Sequence, residues 1–552
     1  MPDRAPIHKT FFLAAIALCA GAGWPPGAIA QPLVFSDAAV LNSNAPAATR
    51  PDLEPCVAYG SGKWICAWHS NDSLGGVVDF DADILFASSL DNGRTWGSAR
   101  ALHSNAISDQ GNDESPRLAT DGNGNWVAVW FSVDDLNGSI DVDADILCVH
   151  SQDNGVTWSG VQPLNSNAFT DSGRDQRPRI ATDGAGHWVA VWQADEDLDK
   201  SIDSDFDILT ARSADGGATW TPPAPLNATA YDDSTADDLE PDIATDGNGR
   251  WLCVWHTNND LGVGAGVDFD IVAARSTDNG ATWSNPFVVN QNAFTDGGED
   301  RSGVVAADGA SNWLCLWFSE EDAGGLGTDY DIFYARSTNS TISWSQVGVI
   351  DNAAYSDAGE DTFPSVATDR NGRWLAVWHS DDDRGGTIGN DLDLLAAWTT
   401  DNGASWSAAA PLNSNAASVT ETDANPFAAA SPGGHWTVVW NMTPSGVSQD
   451  ADIYVATAAG PGGEGEGEGE GEGEGEGEGE GEPEGEPEGE PEGQPEGEEN
   501  GGAEEGEEEE NPVVGCLQTV TGPPAFAAGD ALLLSIAGIA MALAATLFTG
   551  RA

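Results

Sequence analysis

Trp64-Ile65-Cys66-Ala67-Trp68 is answered 62 residues later by Trp126-Val127-Ala128-Val129-Trp130, and the same five-residue unit returns at Trp188, Trp251, Trp313, Trp374 and Trp436. Steps between copies run from 61 to 63 residues. Residues i, i+2 and i+4 of an extended strand share a face, so each unit sets two indoles on one side with a small residue between them. Cys66, Cys253 and Cys315 hold that middle position where Ala128, Ala190 and Ala376 stand in other copies. A position that takes either Cys or Ala is a small packed one, so the seven cysteines do not read as a disulfide framework. Cys56 and Cys66, on neighbouring strands, are the one pair that could be bridged.

Three further elements surround each Trp strand. One begins Asp83-Ile84-Leu85 and repeats at Asp145, Asp207, Asp270, Asp331, Asp393 and Asp452. Another, Leu41-Asn42-Ser43-Asn44-Ala45, returns near Leu102, Leu164, Leu226, Val289, Ile350 and Leu412. The last precedes the Trp strand, as in Pro178-Arg179-Ile180-Ala181-Thr182-Asp183-Gly184. Four short strands per unit, seven times over, predict an all-β, seven-bladed β-propeller of four-stranded antiparallel blades across residues 31–460. The order of the pieces predicts how the ring closes. Residues 33–42 are of the kind that ends a blade, and the seventh unit stops at Ala458 one strand short. The amino-terminal strand therefore completes the last blade and hides two free edges.

Six turns join the second and third of these elements. Ser89-Leu90-Asp91-Asn92-Gly93-Arg94-Thr95-Trp96 has the pattern S-x-D-x-G-x-T-W, repeated at 151–158, 213–220 and 276–283. The copy at 337–344 carries Asn339 and Thr341 in place of the Asp and Gly, and 399–406 is a conservative copy. The carboxylate can accept backbone N–H bonds across a tight turn, and glycine supplies a positive φ. The motif resembles the Asp-box of sialidase-like BNR repeat proteins. That resemblance implies a propeller and leaves activity open, because Asp-box propellers include hydrolases, receptors and assembly factors. Of the 22 tryptophans, 14 sit in the paired strands and six in the boxes, so the indoles are committed to blade packing rather than to a sugar platform.

An antiparallel meander sends alternate loops to alternate faces. The Asp-box turns share one face with Asp-Gly turns such as those at Asp121 and Asp246, and the other face is dense in carboxylates. Every unit enters the strand that follows the Trp strand through Asp-x-Asp: Asp81/Asp83, Asp143/Asp145, Asp205/Asp207, Asp268/Asp270, Asp329/Asp331, Asp391/Asp393 and Asp450/Asp452. Asp79, Asp141 and Asp203 extend the first three to D-x-D-x-D, and Asp109, Asp113, Asp171, Asp175, Asp232, Asp233, Glu299, Asp300, Glu360 and Asp361 add charge from the inter-blade loops. Asp79, Asp81, Asp83, Asp141, Asp143, Asp145, Asp203, Asp205 and Asp207 are thus candidate ligands for Ca²⁺, a hard cation that takes six to eight oxygens. The competing role is loop capping, in which each carboxylate bonds nearby backbone amides.

The sialidase resemblance also implies an arginine triad, a tyrosine paired with glutamate, and an Asp acid/base. The chain departs from that pattern. It has seven units and no Phe/Tyr-Arg-Ile-Pro motif, Arg177-Pro178-Arg179-Ile180 being only superficially similar. Arg50, Arg174, Arg177, Arg301 and Arg384 are scattered over four blades, and Tyr231 and Tyr355 have no evident glutamate partner, so no catalytic residue is carried over. His69, His256 and His379 end the Trp strand in three units; together they could ligate a metal, but separate blades hold them far apart and they read as half-exposed strand-end residues.

The formal charge is −70, and about −46 remains without the 24 glutamates of residues 461–512. That surplus excludes phosphate-backbone recognition, which needs a basic footprint, so no nucleic-acid partner is expected. Residues 1–30 read as a signal peptide: Arg4, His8 and Lys9 precede an apolar run at 11–22, and Ala28-Ile29-Ala30 offers a cleavage site. Residues 461–512, of Gly-Glu and Glu-Pro repeats, read as a solvated linker. Residues 513–552 resemble a bacterial C-terminal sorting signal, with Gly515-Cys516, an uncharged span of 19 residues at 531–549 and Arg551. At ~1.5 Å per residue that span matches the ~30 Å hydrocarbon core. The expectation is an exported, membrane-anchored, surface-displayed propeller that binds a glycan or protein without catalysis; the alternative is an exo-sialidase-type glycoside hydrolase.

Overall fold

The computed structural model describes residues 33–460, except 45–49, 79, 109, 197, 199–201, 203–204, 228–229, 231–235, 262–265, 296, 323–324, 352–353, 355–357, 413–415, 417–420 and 445–449. The segments read above as signal peptide (1–30), linker and sorting signal (461–552), including the apolar span, lie outside the described residues. Among the described residues no helix is long and apolar enough to cross a membrane.

Seven four-stranded antiparallel sheets form the propeller. Blade 1 runs outward through Asp52–Gly60, Lys63–Ser70, Asp83–Ser89 and Arg100–Ala101. Blades 2 to 6 repeat this order, their innermost strands opening at Asp113, Asp175, Asp238, Asp300 and Asp361. Blade 7 has Thr422–Ala430, His435–Thr443 and Asp452–Ala459, and its fourth strand is Ala39–Val40 from the amino end. Ala39 faces Val455, Val40 faces Tyr454, and Phe35 bridges to Ala458, so the ring closes as the order of elements predicts.

The Trp strands explain why the blades stack. Trp126 and Trp130 pack on Ile65, Ala67, Ile84 and Phe86 of blade 1. On the opposite face of the same strand, Val127 and Val129 lie under Trp188 and Trp192 of blade 3. Trp64 and Trp68 close the circle against Val439, Ile453 and Val455 of blade 7. All 14 indoles of these strands are at most 1 % exposed, each removing roughly 150–250 Å² from water. Two-faced burial is why the strand reads as a nearly continuous apolar run.

Three expectations are corrected here. The outer strand is only two residues long and precedes the Leu-Asn-x-Asn run, which leaves the sheet to do other work. Cys56 and Cys66 are free. Cys66 faces Val57 and Cys56 faces Ala67, a one-residue offset that sends the two thiols to opposite sides of the sheet and into different core clusters. His69, His256 and His379 are buried rather than half-exposed. Burial pushes His256 and His379 down to about 4, so they pack as neutral rings.

Each inner strand carries a register shift just after the aspartate at or next to its first position. The inserted residues Glu54, Ser115, Arg177, Glu240, Ser302, Phe363 and Asn425 all have φ between 50° and 55°. A bulge re-aims one side chain, and here it does so once per blade at the carboxylate-rich end of the strands.

Candidate functional site

The two faces do different jobs. On the Asp-box face, Ser89 Oγ donates to Asp91 Oδ1 (2.8 Å), Thr95 N and Oγ1 donate to Asp91 Oδ1 and Oδ2 (2.9 and 2.6 Å), and Trp96 Nε1 donates to Gly93 O (2.9 Å). The hydroxyl and backbone bonds to the carboxylate recur around Asp153, Asp215, Asp278 and Asp401, whereas the indole bond to the glycine carbonyl does not. Asn339 keeps the turn by accepting from Ser343 N and donating to its hydroxyl. These carboxylates are spent inside their own turns.

The opposite face is organised by the junctions between blades. Asp145 opens the third strand of blade 2 and Asp175 the inner strand of blade 3, both buried. Asn165, from the loop between them, donates through Nδ2 to Asp145 Oδ1 (2.8 Å) and Asp175 Oδ2 (2.6 Å), while its Oδ1 accepts from Ile146 N (3.1 Å). Trp192 Nε1 donates to Asp175 Oδ1 at 2.7 Å. Asn290 does the same for Asp270 and Asp300, and Asn42 for Asp452 and Asp52 across the ring closure. At the blade 1–2 junction His103 takes the amide's place, with Nε2 3.1 Å from Asp113 and 3.7 Å from Asp83. At the blade 5–6 junction the residue is Asp351, and Arg384 lies against it and Asp382.

Of the nine candidate metal ligands, Asp79 and Asp203 lie outside the described residues. Asp83, Asp145 and Asp207 are the buried junction aspartates; Asp81, Asp143 and Asp205 are half-buried beside them, and Asp141 is exposed at the rim. The fullest convergence is at the blade 2–3 junction. Ligand atoms of Asp143, Asp145 and Asp171 lie within 4.8 Å of one another, as do those of Asp171, Asp175 and Glu196. Asn167 Nδ2 donates to Asp171 and to Glu196 Oε2 (2.5 Å). Burial, then neighbouring carboxylates, pushes Asp143 up to about 6, and Asp145 and Glu196 up to about 8. At an effective dielectric of about 20, two unit charges at the 4.8 Å separation repel by roughly 3 kcal/mol. Asp171 and Asp175 stand out in the sequence as inter-blade carboxylates, whereas Asn167 and Glu196 do not; the repeated Asn-x-Asn after each outer strand is the signal for Asn167.

Inside this ring lies the axial channel, an opening of about 290 Å³ whose narrow part is lined by small residues such as Ala58, Ala119, Ala181 and Ala244. At its carboxylate-rich mouth Ser115 donates to Glu54, Ser302 donates to Glu240, and Arg177 pairs with Glu54 at 3.4 Å. Burial pushes Glu54 up, but Arg177, His69, the Ser115 hydroxyl and Arg117 together outweigh it and hold the carboxyl at about 2. Deeper, Arg179 sits 3.6 Å from Asp242, and burial together with Arg117 brings its guanidinium down to about 9. Arg117 also stacks on Phe427, 5.6 Å from the ring centre.

The BNR repeat-like domain family matches this chain over residues 36–238, the stretch that holds blades 1 to 3. Comparison with curated protein sequences gives no match. Among solved structures, a protein of unknown function from Dyadobacter fermentans is 13% identical, covers 78% of this chain and 99% of its own, and superposes with a TM-score of 0.42. A sialidase from Streptococcus pneumoniae is 11% identical over 79% and 71% of the two chains, with a TM-score of 0.37. An α-L-arabinanase of Penicillium chrysogenum, solved with arabinobiose, is 12% identical over 77% and 98%, with a TM-score of 0.38.

The arginines singled out on the acidic face of the propeller go to separate places. Arg50 lies over Phe80, Arg174 pairs with Asp195, Arg301 pairs with Glu299 and lies over Phe269, and Arg384 pairs with Asp351 and Asp382. Only Arg177 faces the channel, where its companions are Arg117 and Arg179. Tyr231 and Tyr355 lie outside the described residues. Tyr59, Tyr330, Tyr334 and Tyr454 pack against Trp64, Phe318, Trp406 and Trp440 respectively.

Proposed function

We propose that this propeller is a non-catalytic binding module that takes a glycan or protein ligand on its carboxylate-rich face. The observation that supports it is a scatter of exposed apolar side chains over that face. Phe80 is 66% exposed, Phe169 64%, Phe294 48% and Phe363 45%, with Val77, Ile107, Val133, Val142 and Val267 also exposed. Exposed aromatic rings flanked by carboxylates suit both sugar faces and basic protein patches. In this reading residues 1–30 direct export, the 461–512 linker acts as a spacer, and residues 513–552 hold the propeller at the cell surface, where display suits capture.

The test is a screen of the full chain on glycan arrays and against purified surface proteins. A hit that weakens at least tenfold in Phe80→Ser and Phe169→Ser supports the proposal; no saturable binding to either class counts against it. The exo-sialidase reading rests on Arg117, Arg177 and Arg179 meeting in the channel. Turnover of a fluorogenic sialoside by the full chain, abolished by Arg179→Met, would put that reading first.

A further inference from the structure

The junction between blades 2 and 3 holds more oxygen than its own donors can serve. Asp143 Oδ1 and Oδ2, Asp145 Oδ2, Asp171 Oδ1, Glu196 Oε1 and Asn167 Oδ1 are all buried and have no hydrogen-bond partner. Asp145 is 1% and Glu196 4% exposed as residues. Asp175 adds negative charge, but both its oxygens are taken by Asn165 and Trp192. No ion pair to a Lys, Arg or His reaches any of these five carboxylates among the described residues; the nearby Arg174 is held by Asp195 at 2.6 Å. Buried carboxylates in this state call for a cation.

A second junction shows what the fold does when it supplies the positive charge itself. Leu74, Leu136, Leu198 and Leu261 occupy one left-handed position after the Trp strand of blades 1 to 4. In blade 6 that position, also left-handed, is Arg384. Its guanidinium lies against Asp351 and Asp382, which correspond to Asn165 and Glu196 of the blade 2–3 junction. Where Asp351 has replaced the bridging amide, an arginine has come in; where the amide remains and Leu198 replaces the arginine, the charge is left to something not on the chain.

We propose that the blade 2–3 junction is a Ca²⁺ site, with Asp143, Asp145, Asp171 and Glu196 as carboxylate ligands and the Asn167 side-chain carbonyl beside them. The two carboxylate triads share Asp171, and hard oxygens drawn from three separate chain segments suit the flexible coordination of calcium better than the strict octahedron of magnesium. The ion would tie the D-x-D entry of blade 2, the inter-blade loop and the end of the Trp strand of blade 3 into one unit.

Scanning calorimetry and calcium titration of the full chain test this, because the glutamate-rich segment gives only a diffuse background common to every variant. The wild type is expected to show one saturable Ca²⁺ site per chain and a Tm several degrees higher in excess CaCl₂ than in EDTA. Asp171→Asn and Glu196→Gln each remove repulsion, so both are expected to raise the Tm in EDTA while weakening calcium binding at least tenfold and losing most of the calcium increment. Equal wild-type Tm values in CaCl₂ and EDTA, an increment retained in both variants, or an equal increment from MgCl₂ would overturn the assignment. Should a variant fail to fold, the wild-type titration still decides, since absence of a saturable component, or seven equivalent ones, contradicts a single site here.

Discussion

The indole of Trp192 is buried against blade 2 and also donates its one N–H to Asp175 at 2.7 Å. Phenylalanine keeps the aromatic body but loses volume and leaves Asp175 short of a donor, two penalties that act together. Trp192→Phe is therefore expected to cost about 2–4 kcal/mol, read as a lower midpoint in urea at unchanged slope. A loss under about 0.5 kcal/mol would mean that the indole bond carries nothing. Gly155 is the opposite case, where absence of a side chain matters. Its φ is +68°, and a Cβ there would come 2.3 Å from Ile65 Cδ1 of the neighbouring blade. The Asp-box glycine thus provides both a left-handed turn and a close approach between blades. Gly155→Ala combines roughly 1 kcal/mol of backbone strain with about 1–3 kcal/mol of overpacking, and thermal unfolding should show it as less stable than wild type.

At the scale of elements, the strands were legible because period-two patterning and a spacing of about 62 residues act within single segments. The closing strand could be read for the same reason: residues 33–42 match a piece the seventh unit lacks. The junctions were harder, since one bridge needs Asp145, Asn165 and Asp175 from three segments, and apolar Leu41 or Leu164 beside the Asn made that run look like strand. An aspartate three residues before proline, as in Asp52-Leu53-Glu54-Pro55 and Asp175-Gln176-Arg177-Pro178, is the sign of bulge and junction together that went unread. Bridging gives the amino-terminal strand a second role, because Asn42 Nδ2 donates to both Asp52 and Asp452. Deleting residues 33–42 removes the pairing at Ala39 and Val40, uncovers the edge of Asp452–Ala459 and leaves two buried carboxylates facing each other. The truncated protein is expected to lose at least about 3 kcal/mol of stability and to self-associate through the open edge, visible by size-exclusion chromatography. A monomer of wild-type stability would contradict this account of closure.

For the whole molecule, the junction carboxylates set the sign of the pH dependence. Burial and the nearby Asp452 push Asp52 up to about 7, against the opposing bonds from Ser70 and Asn44. Burial and Asp391 push Asp393 up to about 7. Unfolded, both groups return to about 3.8, so between these values the native protein binds more protons than the unfolded chain. Stability then falls as pH rises: the contribution is fully present below about 3.8 and is lost through about 7. In EDTA the protein is expected to be more resistant to urea near pH 5.5 than near pH 8, by an amount of order 3 kcal/mol. General self-repulsion of so acidic a chain works in the same direction, but high salt screens exposed charges and leaves buried pairs largely untouched. The difference should therefore survive in molar NaCl and shrink in Asp52→Asn, whose side chain no longer titrates. A profile that is flat in molar NaCl would assign the effect to surface charge and remove the junctions from it.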